Sequence, residues 1–186
     1  MIKPRLVLPL MLLLAVVTSA GQQHRSDPLT GPEIDKVRDA AQMPEIRLKL
    51  YVEFARVRLD KLQQAHSDTK AADHEQQMRN ALQDFLDVYD ELDVNVDTFA
   101  DRGTDIRKAL KPVIEGDTEF GSKLRAFKSS LVGNSEEEKS YSFLLSTALE
   151  AVDAGAKDHR ELLAEQEETF KHKKKPEHKE AAQHAE

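Results

Sequence analysis

Three histidines near the C-terminus are the first residues whose type and spacing suggest chemistry. His172, His178 and His184 lie six residues apart in the stretch KHKKKPEHKEAAQHAE, together with five lysines. Flexible histidine-rich tracts can bind transition metals loosely, and we take these three as the candidate metal ligands. The ammonium groups beside them repel a cation, so they do not predict a preformed site. The same lysines could attract an anionic surface, and a solvated tail with neither role is the simplest interpretation.

A run of acidic residues suggests calcium. The stretch DVNVD at 93–97, followed by Asp101, matches four ligand positions of an EF-hand loop. Such a loop also needs a glycine and a closing bidentate glutamate, but the chain has Thr98 and Thr104 there. The acids also alternate with apolar residues at helical spacing. We therefore predict a solvated acidic face of a helix in place of a calcium loop.

Two further histidines have possible haem or buried roles. His74 and Met78 stand four residues apart, but non-covalent haem takes its axial ligands from different elements, so we predict an exposed pair. His159 falls on the apolar seam of the last predicted helix, which favours a partly buried, hydrogen-bonded histidine.

Motifs that carry catalysis are absent from the sequence. There is no cysteine, so neither a disulfide nor a Cys-x-x-Cys-His haem attachment can form. No histidine follows a glutamate at the spacing of a di-iron bundle. His-Glu-x-x-His, Walker A, Gly-x-Gly-x-x-Gly and Gly-x-Ser-x-Gly are also missing. We therefore predict no enzymatic activity, no catalytic residues and no bound cofactor.

The N-terminus has the pattern of an export signal. Lys3 and Arg5 precede an apolar run at 6–17, and the small residues 18–20 (TSA) follow it. The run is shorter than the ~20 residues that span a bilayer, and no later stretch is longer. The prediction is a signal peptide at 1–20, with the mature chain periplasmic or extracellular and without a transmembrane segment. An uncleaved anchor is the alternative.

The net charge argues against nucleic acid as a partner. The whole chain has a formal charge of −7, and loss of Lys3 and Arg5 with the signal would make it −9. An acidic body repels a phosphate backbone. Without disulfides, the mature chain must draw its stability from an apolar core.

The rest of the chain predicts helices. Residues 21–28 are polar and predicted to be disordered, and residues 29–170 are predicted to form one helical domain. Residues 171–186 are predicted to be a disordered tail.

Apolar residues recur at heptad spacing along three long segments. These seam residues are Met78, Leu82, Phe85, Tyr89, Leu92, Val96 and Phe99; Ile106, Leu110, Val113, Phe120, Leu124, Phe127 and Leu131; and Tyr141, Leu145, Ala148, Val152, Gly155, His159 and Leu162. The fold class predicted is all-α, an up-and-down bundle of four or five helices.

Local signals set the expected helix ends. A capping box at Thr30 and Glu33 starts the first helix. The second helix begins near Pro44, and the third begins near Asp68 or Thr69. Pro112 predicts a kink or short break at 112–118, where Asp117 occupies a seam position. Residues 133–138 (GNSEEE) predict the end of one helix and the cap of the last.

The stretch 43–62 predicts a helix with two apolar faces. The wider face holds Leu48, Tyr51, Val52, Ala55, Leu59 and Leu62, and the narrower face holds Ile46, Leu50, Phe54 and Val57. Because a helix with two apolar faces has two packed neighbours, we expect it at the centre of the bundle. Arg47 and Arg58 are expected to reach solvent along their apolar stems. The alternative is that the narrower face binds a partner chain.

A short resemblance accompanies the first cap. Leu29-Thr30-x-x-Glu33 is similar to the Leu-Thr-x-x-Gln motif of periplasmic stress chaperones, but it covers five residues and the capping box explains it fully. It assigns no family.

The sequence favours a binding role over catalysis. The leading hypothesis is an exported, non-catalytic helical bundle of the cell envelope with an interaction or structural role, in which a protein partner binds through helix faces. The alternative is a ligand- or metal-binding periplasmic bundle, related to stress.

Overall fold

The computed structural model describes residues 27–131 and 136–173, with side chains of the second range described from Tyr141 to Lys171. These residues form five helices and no strand: α1 (Gly31–Asp39), α2 (Pro44–Ser67), α3 (His74–Asp101), α4 (Arg107–Ser130) and α5 (Glu136–Lys173). The all-α prediction is confirmed. Because α5 continues to Lys173, the first three residues of the predicted tail are helical. The predicted signal peptide, residues 21–26 and the tail beyond Lys173 lie outside the described ranges, as does the predicted 133–135 part of the α4–α5 connection.

Four long helices form the bundle, and α1 packs on α2. Around the bundle the order is α2, α3, α5, α4, so the short connection 102–106 crosses a diagonal. Arg56 pairs with Glu119, and four residues further along both helices Asp60 pairs with Lys123, so α2 and α4 run parallel. None of the described helices has the length and apolarity that a membrane span requires.

The heptad seams form the core as predicted. Phe85 of α3 and Phe120 of α4 meet across the diagonal with their ring centroids 5.6 Å apart in an edge-on arrangement. Every seam residue on the three long segments is buried, except that Leu131 and Leu162 are half-buried. Burial of these aliphatic and aromatic side chains is the main stabilising contribution to the bundle.

Helix ends follow local chemistry. The capping box of α1 is present, because Glu33 Oε2 accepts a hydrogen bond from the Thr30 amide at 2.8 Å and the reciprocal bond also forms. The predicted start of α3 near Asp68 or Thr69 is wrong, since the helix begins at His74. Asp68 instead closes α2, where its amide bonds the Gln64 and Ala65 carbonyls.

The prediction at 112–118 was a kink or a short break, and the break is wrong. The helix is continuous from Arg107 to Ser130 although Pro112 lies inside it. Pro112 lacks the amide that would bond the carbonyl of Lys108, so a single hydrogen bond is lost near the start of the helix. Gly116 serves close packing, since a Cβ there would lie 2.9 Å from Val52 Cγ1.

The connection between α3 and α4 is held by α5. Gly103 adopts a left-handed backbone with φ of 67°, which favours glycine. The buried side chain of Gln166 accepts a hydrogen bond from the Ile106 amide at 2.9 Å and donates one to the Thr104 carbonyl. The first bond satisfies an amide that the start of α4 leaves without an intrahelical partner, and the second satisfies a carbonyl of the connection.

The two apolar faces of α2 differ in how deeply they are buried. All six residues of the wider face are buried, but on the narrower face only Phe54 is buried; Leu50 is half-buried, and Ile46 and Val57 are exposed. The prediction that Arg58 reaches solvent is wrong, because its side chain is buried. Its guanidinium donates to Glu33 of α1 at 2.5 and 2.6 Å, and this pairing offsets the loss of hydration.

Arg47 also stays within the fold. Its side chain is half-buried and donates hydrogen bonds to Asn95 Oδ1 of α3 and to the Val37 carbonyl of α1, both at 2.6 Å. The expected extension of this arginine into solvent is wrong in part, because the side chain is half-buried and its guanidinium bonds groups inside the fold. The two arginines tie α1 and α3 to α2.

Candidate functional site

A buried polar network joins three helices of the bundle. Asp117 of α4 accepts a hydrogen bond from the Tyr89 hydroxyl of α3 at 2.8 Å through Oδ1. Its other oxygen, Oδ2, lies 2.9 Å from Nδ1 of His159 on α5. On the far side of the imidazole, Nε2 lies 3.3 Å from Asp93 Oδ1, an ion-pair distance without the alignment of a hydrogen bond. Tyr89, Asp117 and His159 are buried, while the side chain of Asp93 is 37% exposed.

Helical spacing explains how this network assembles. Tyr89 and Asp93 are one turn apart on α3, so they lie on the same face. Gly155 precedes His159 by one turn on α5, and a Cβ at that position would meet the Tyr89 hydroxyl at 2.3 Å. Glycine is therefore needed at 155 for the tyrosine to reach Asp117 between the helices.

The network holds His159 as an imidazolium. Burial alone would lower the pKa of His159, but the bond to Asp117 and the ion pair with Asp93 outweigh it and raise the pKa to about 9. Burial and the charge of Asp117 raise the pKa of Tyr89, so its hydroxyl stays protonated and donates. Burial raises the pKa of the Asp93 carboxyl, although its contact with His159 opposes that shift.

The polar atoms of this network are engaged with one another. Both nitrogens of His159 face carboxylates, so the ring has no free lone pair with which to accept a proton. Both oxygens of Asp117 are engaged, and its side chain is 0% exposed. Only Asp93 connects this network to solvent.

A groove runs between α3 and α5 beside that exposed edge. It consists of two openings of about 350 and 390 Å3 that share Asp93 and Ala151. The first is lined by Gln83, Leu86, Asp87, Tyr89, Asp90, Phe143, Leu144 and Thr147, and the second by Val96, Asp97, Ala100, Asp101, Ala154, Gly155, Asp158, His159 and Leu162. Small residues on α5 leave the space open.

Four acidic side chains of this groove lack an ion-pair partner among the described residues, whereas Asp93 pairs with His159. Within the described part of the chain, Asp90, Asp97, Asp101 and Asp158 take part in no ion pair, and no lysine or arginine lines either opening. The opposite face differs, because Glu119 between α2 and α4 contacts both Arg56 and Lys123.

The metal-ligand candidates of the tail receive no structural support. The backbone at position 172 belongs to the last turn of α5, but the side chain of His172 is not among those described, and His178 and His184 lie beyond the described residues. In the ranges 27–131 and 136–173, no group of three or more His, Asp or Glu side chains could hold a metal ion.

The other sequence candidates lie on α3. Residues 93–97 and Asp101 are helical throughout, as predicted, so they form no calcium loop. The fully solvated acidic face is wrong in part, since Asn95 is buried and Asp93 contacts His159. The prediction that His74 and Met78 form an exposed pair is also wrong, because Met78 is buried in the core.

Sequence reasoning missed how Asp117 and His159 come together. Each was recognised as a polar residue on an apolar seam, and a buried carboxylate requires a partner of opposite charge. Pairing the two would have found the contact.

Comparisons with protein-family models, with curated proteins and with solved structures found no match to this chain.

Proposed function

We propose that this chain is exported to the cell envelope, as a periplasmic or extracellular protein, and acts there as a non-catalytic helical bundle that binds a protein partner. The observation that carries the binding role is the groove between α3 and α5. Asp90, Asp97, Asp101 and Asp158 of its lining pair with no lysine or arginine in the described part of the chain, and Phe143 at one end is 76% exposed. An exposed aromatic side chain beside unpaired acids offers a partner both an apolar and an electrostatic contact. The proposed export rests on the sequence pattern of residues 1–20.

The absence of catalysis is proposed from the state of the buried network. His159 is charged and held between two carboxylates, so it is a poor general base near neutral pH. The groove reaches the edge of this network, but it offers neither a serine nor a lysine beside an imidazole that could act as a nucleophile.

Crosslinking of intact cells tests the proposal. The chain would be isolated from the envelope fraction after treatment with an amine-reactive reagent, and its mass and N-terminus would be measured. We expect a chain that begins at residue 21 and carries one reproducible protein adduct. An intact Met1 on a cytoplasmic chain would contradict export, and a chain that never forms an adduct would contradict the binding role.

A further inference from the structure

We propose that the groove between α3 and α5 binds a basic polypeptide segment that carries an aromatic or aliphatic side chain at one end. The proposal rests on the interaction function above and names the chemistry of the partner. Three features of the groove carry it: an apolar end, three aspartates (Asp97, Asp101 and Asp158) without a cationic partner among the described residues, and a span that suits a peptide.

The apolar end receives the anchor. Phe143 is 76% exposed, and Leu86 of α3 and Leu144 of α5 are half-buried beside the same opening. Because the three side chains line one opening, a large apolar side chain of a partner could pack against them.

The aspartates along the groove favour a positively charged partner. Asp93, Asp97 and Asp101 follow one another at intervals of four on α3, and Asp158 faces the same opening from α5. Like charges at this spacing repel each other and destabilise a helix. The His159 imidazolium offsets the charge of Asp93, but no described residue pairs with Asp97, Asp101 or Asp158. Lysines or arginines of a partner would supply that missing positive charge.

The dimensions favour a polypeptide over a small cation. From Phe143 to Leu162 the groove follows α5 for about 29 Å, at the rise of an α-helix. A polyamine would match the charge but not the apolar end. Nucleic acid is disfavoured by the sign of the groove's charge.

The chain's own tail lacks the anchor. After Lys173 the sequence contains five further positive or histidine positions, but alanine is its only apolar residue type apart from one proline. Along α5, Phe143 lies about 45 Å from Lys173, which is near the full extended reach of the remaining residues. The acidic end at Leu162 is only about 17 Å from Lys173 along α5, so the tail can reach that end but lacks a side chain for the apolar one. An external segment that fills both ends is therefore the better occupant.

A binding measurement with defined peptides tests this assignment. The probe is a fluorescent synthetic peptide with phenylalanine and leucine at one end and alternating lysine and alanine along the rest, and the matched probe has glutamate in place of lysine. Each would be titrated with the chain purified from the envelope. We expect the lysine peptide alone to bind, with affinity falling as salt rises because exposed charges are screened.

Two variants of equal charge separate the groove from general attraction. Asp97→Asn/Asp101→Asn/Asp158→Asn should weaken binding of the lysine peptide about tenfold, at a modest loss per exposed charge. The control Asp39→Asn/Glu45→Gln/Glu115→Gln changes exposed acids on α1, α2 and α4, which line neither groove opening, and should change it less than about twofold. Phe143→Ser should also weaken binding about tenfold, because it removes the apolar contact. Thermal melts would show that all variants remain folded.

Several outcomes would overturn the assignment. If both triple variants weakened binding of the lysine peptide equally, the attraction would come from net charge and not from the groove. Binding that appears only after the chain is cut at Lys173 would make the tail the occupant, and a dimer that the groove variant dissociates would make it a second copy. If the peptide does not bind but an envelope adduct still maps to another face, the groove is rejected and the proposed function is kept. If no adduct forms at all, both are rejected.

Discussion

His159 Nδ1 lies 2.9 Å from Asp117 Oδ2, and this contact joins α5 to α4 inside the core. Both side chains are at most 5% exposed, so neither charge is compensated by water. An ion pair in such surroundings adds little net stability, but the loss of one partner leaves the other charge buried and unpaired. The network therefore fixes how the helices align, and its disruption should be costly.

Removal of Asp117 should destabilise the fold strongly. We expect Asp117→Ala to lower the free energy of unfolding by about 3–5 kcal/mol, because the His159 imidazolium and the Tyr89 hydroxyl lose their shared acceptor. Chemical denaturation measures this. The double variant Asp117→Ala/His159→Leu should recover part of the loss; a double variant that loses the sum of the two single losses would show that the residues are not coupled.

The stability of the bundle should fall between about pH 6.5 and pH 9. The folded-state pKa of His159 is raised to about 9, so the native chain holds a proton that the unfolded chain releases near 6.5. The stabilisation is complete below 6.5 and is lost as the pH rises through 9. Melts across this range should show the loss in the wild type, and His159→Gln should flatten it. A histidine that titrates near 6.5 by NMR would contradict the network.

The opposite pH dependence should come from Glu33. Hydrogen bonds from Arg58 lower the pKa of this carboxyl to about 2, against the effect of burial. Its contribution is therefore present above about pH 4.5 and is lost as the pH falls towards 2. Glu33→Gln should cost about 3 kcal/mol at neutral pH, because Arg58 is buried and would lose its partner. The control Asp35→Asn removes an exposed pair with Arg38 and should cost less than about 1 kcal/mol.

Two phenylalanines test the burial of the α3 seam and of the narrower apolar face of α2. Phe85→Ala and Phe54→Ala should each cost about 3–5 kcal/mol, since both rings are buried. Val57→Ala, one turn from Phe54 but 45% exposed, should cost less than about 1 kcal/mol. A loss below about 1 kcal/mol at Phe54 alone would mean that the narrower face of α2 is open to a partner.

Much of the fold could be predicted from local rules. Heptad spacing located the core positions from Met78 to Phe99 because those residues repeat with the period at which helices pack. The capping box placed the start of α1 because its bonds join residues three positions apart. Both signals are local in the sequence.

The misses arose where distant residues meet. The burial of Arg58 depends on Glu33, which is 25 positions away, and no property of the α2 sequence reveals that partner. The groove depends on α3 and α5 running side by side, an arrangement that follows from the diagonal connection at 102–106. The break predicted at Pro112 was wrong, because a proline near a helix start removes only one backbone hydrogen bond.

The most direct test of the binding account is photo-crosslinking from a single position in the native envelope. Phe143 would be replaced by benzoylphenylalanine, and Lys111 on the exposed side of α4 would be replaced in the matched control. The account predicts a protein adduct from position 143 and none from position 111, with the crosslinked peptide of the partner rich in lysine or arginine. Adducts from both positions at equal yield, or from position 111 alone, would contradict it.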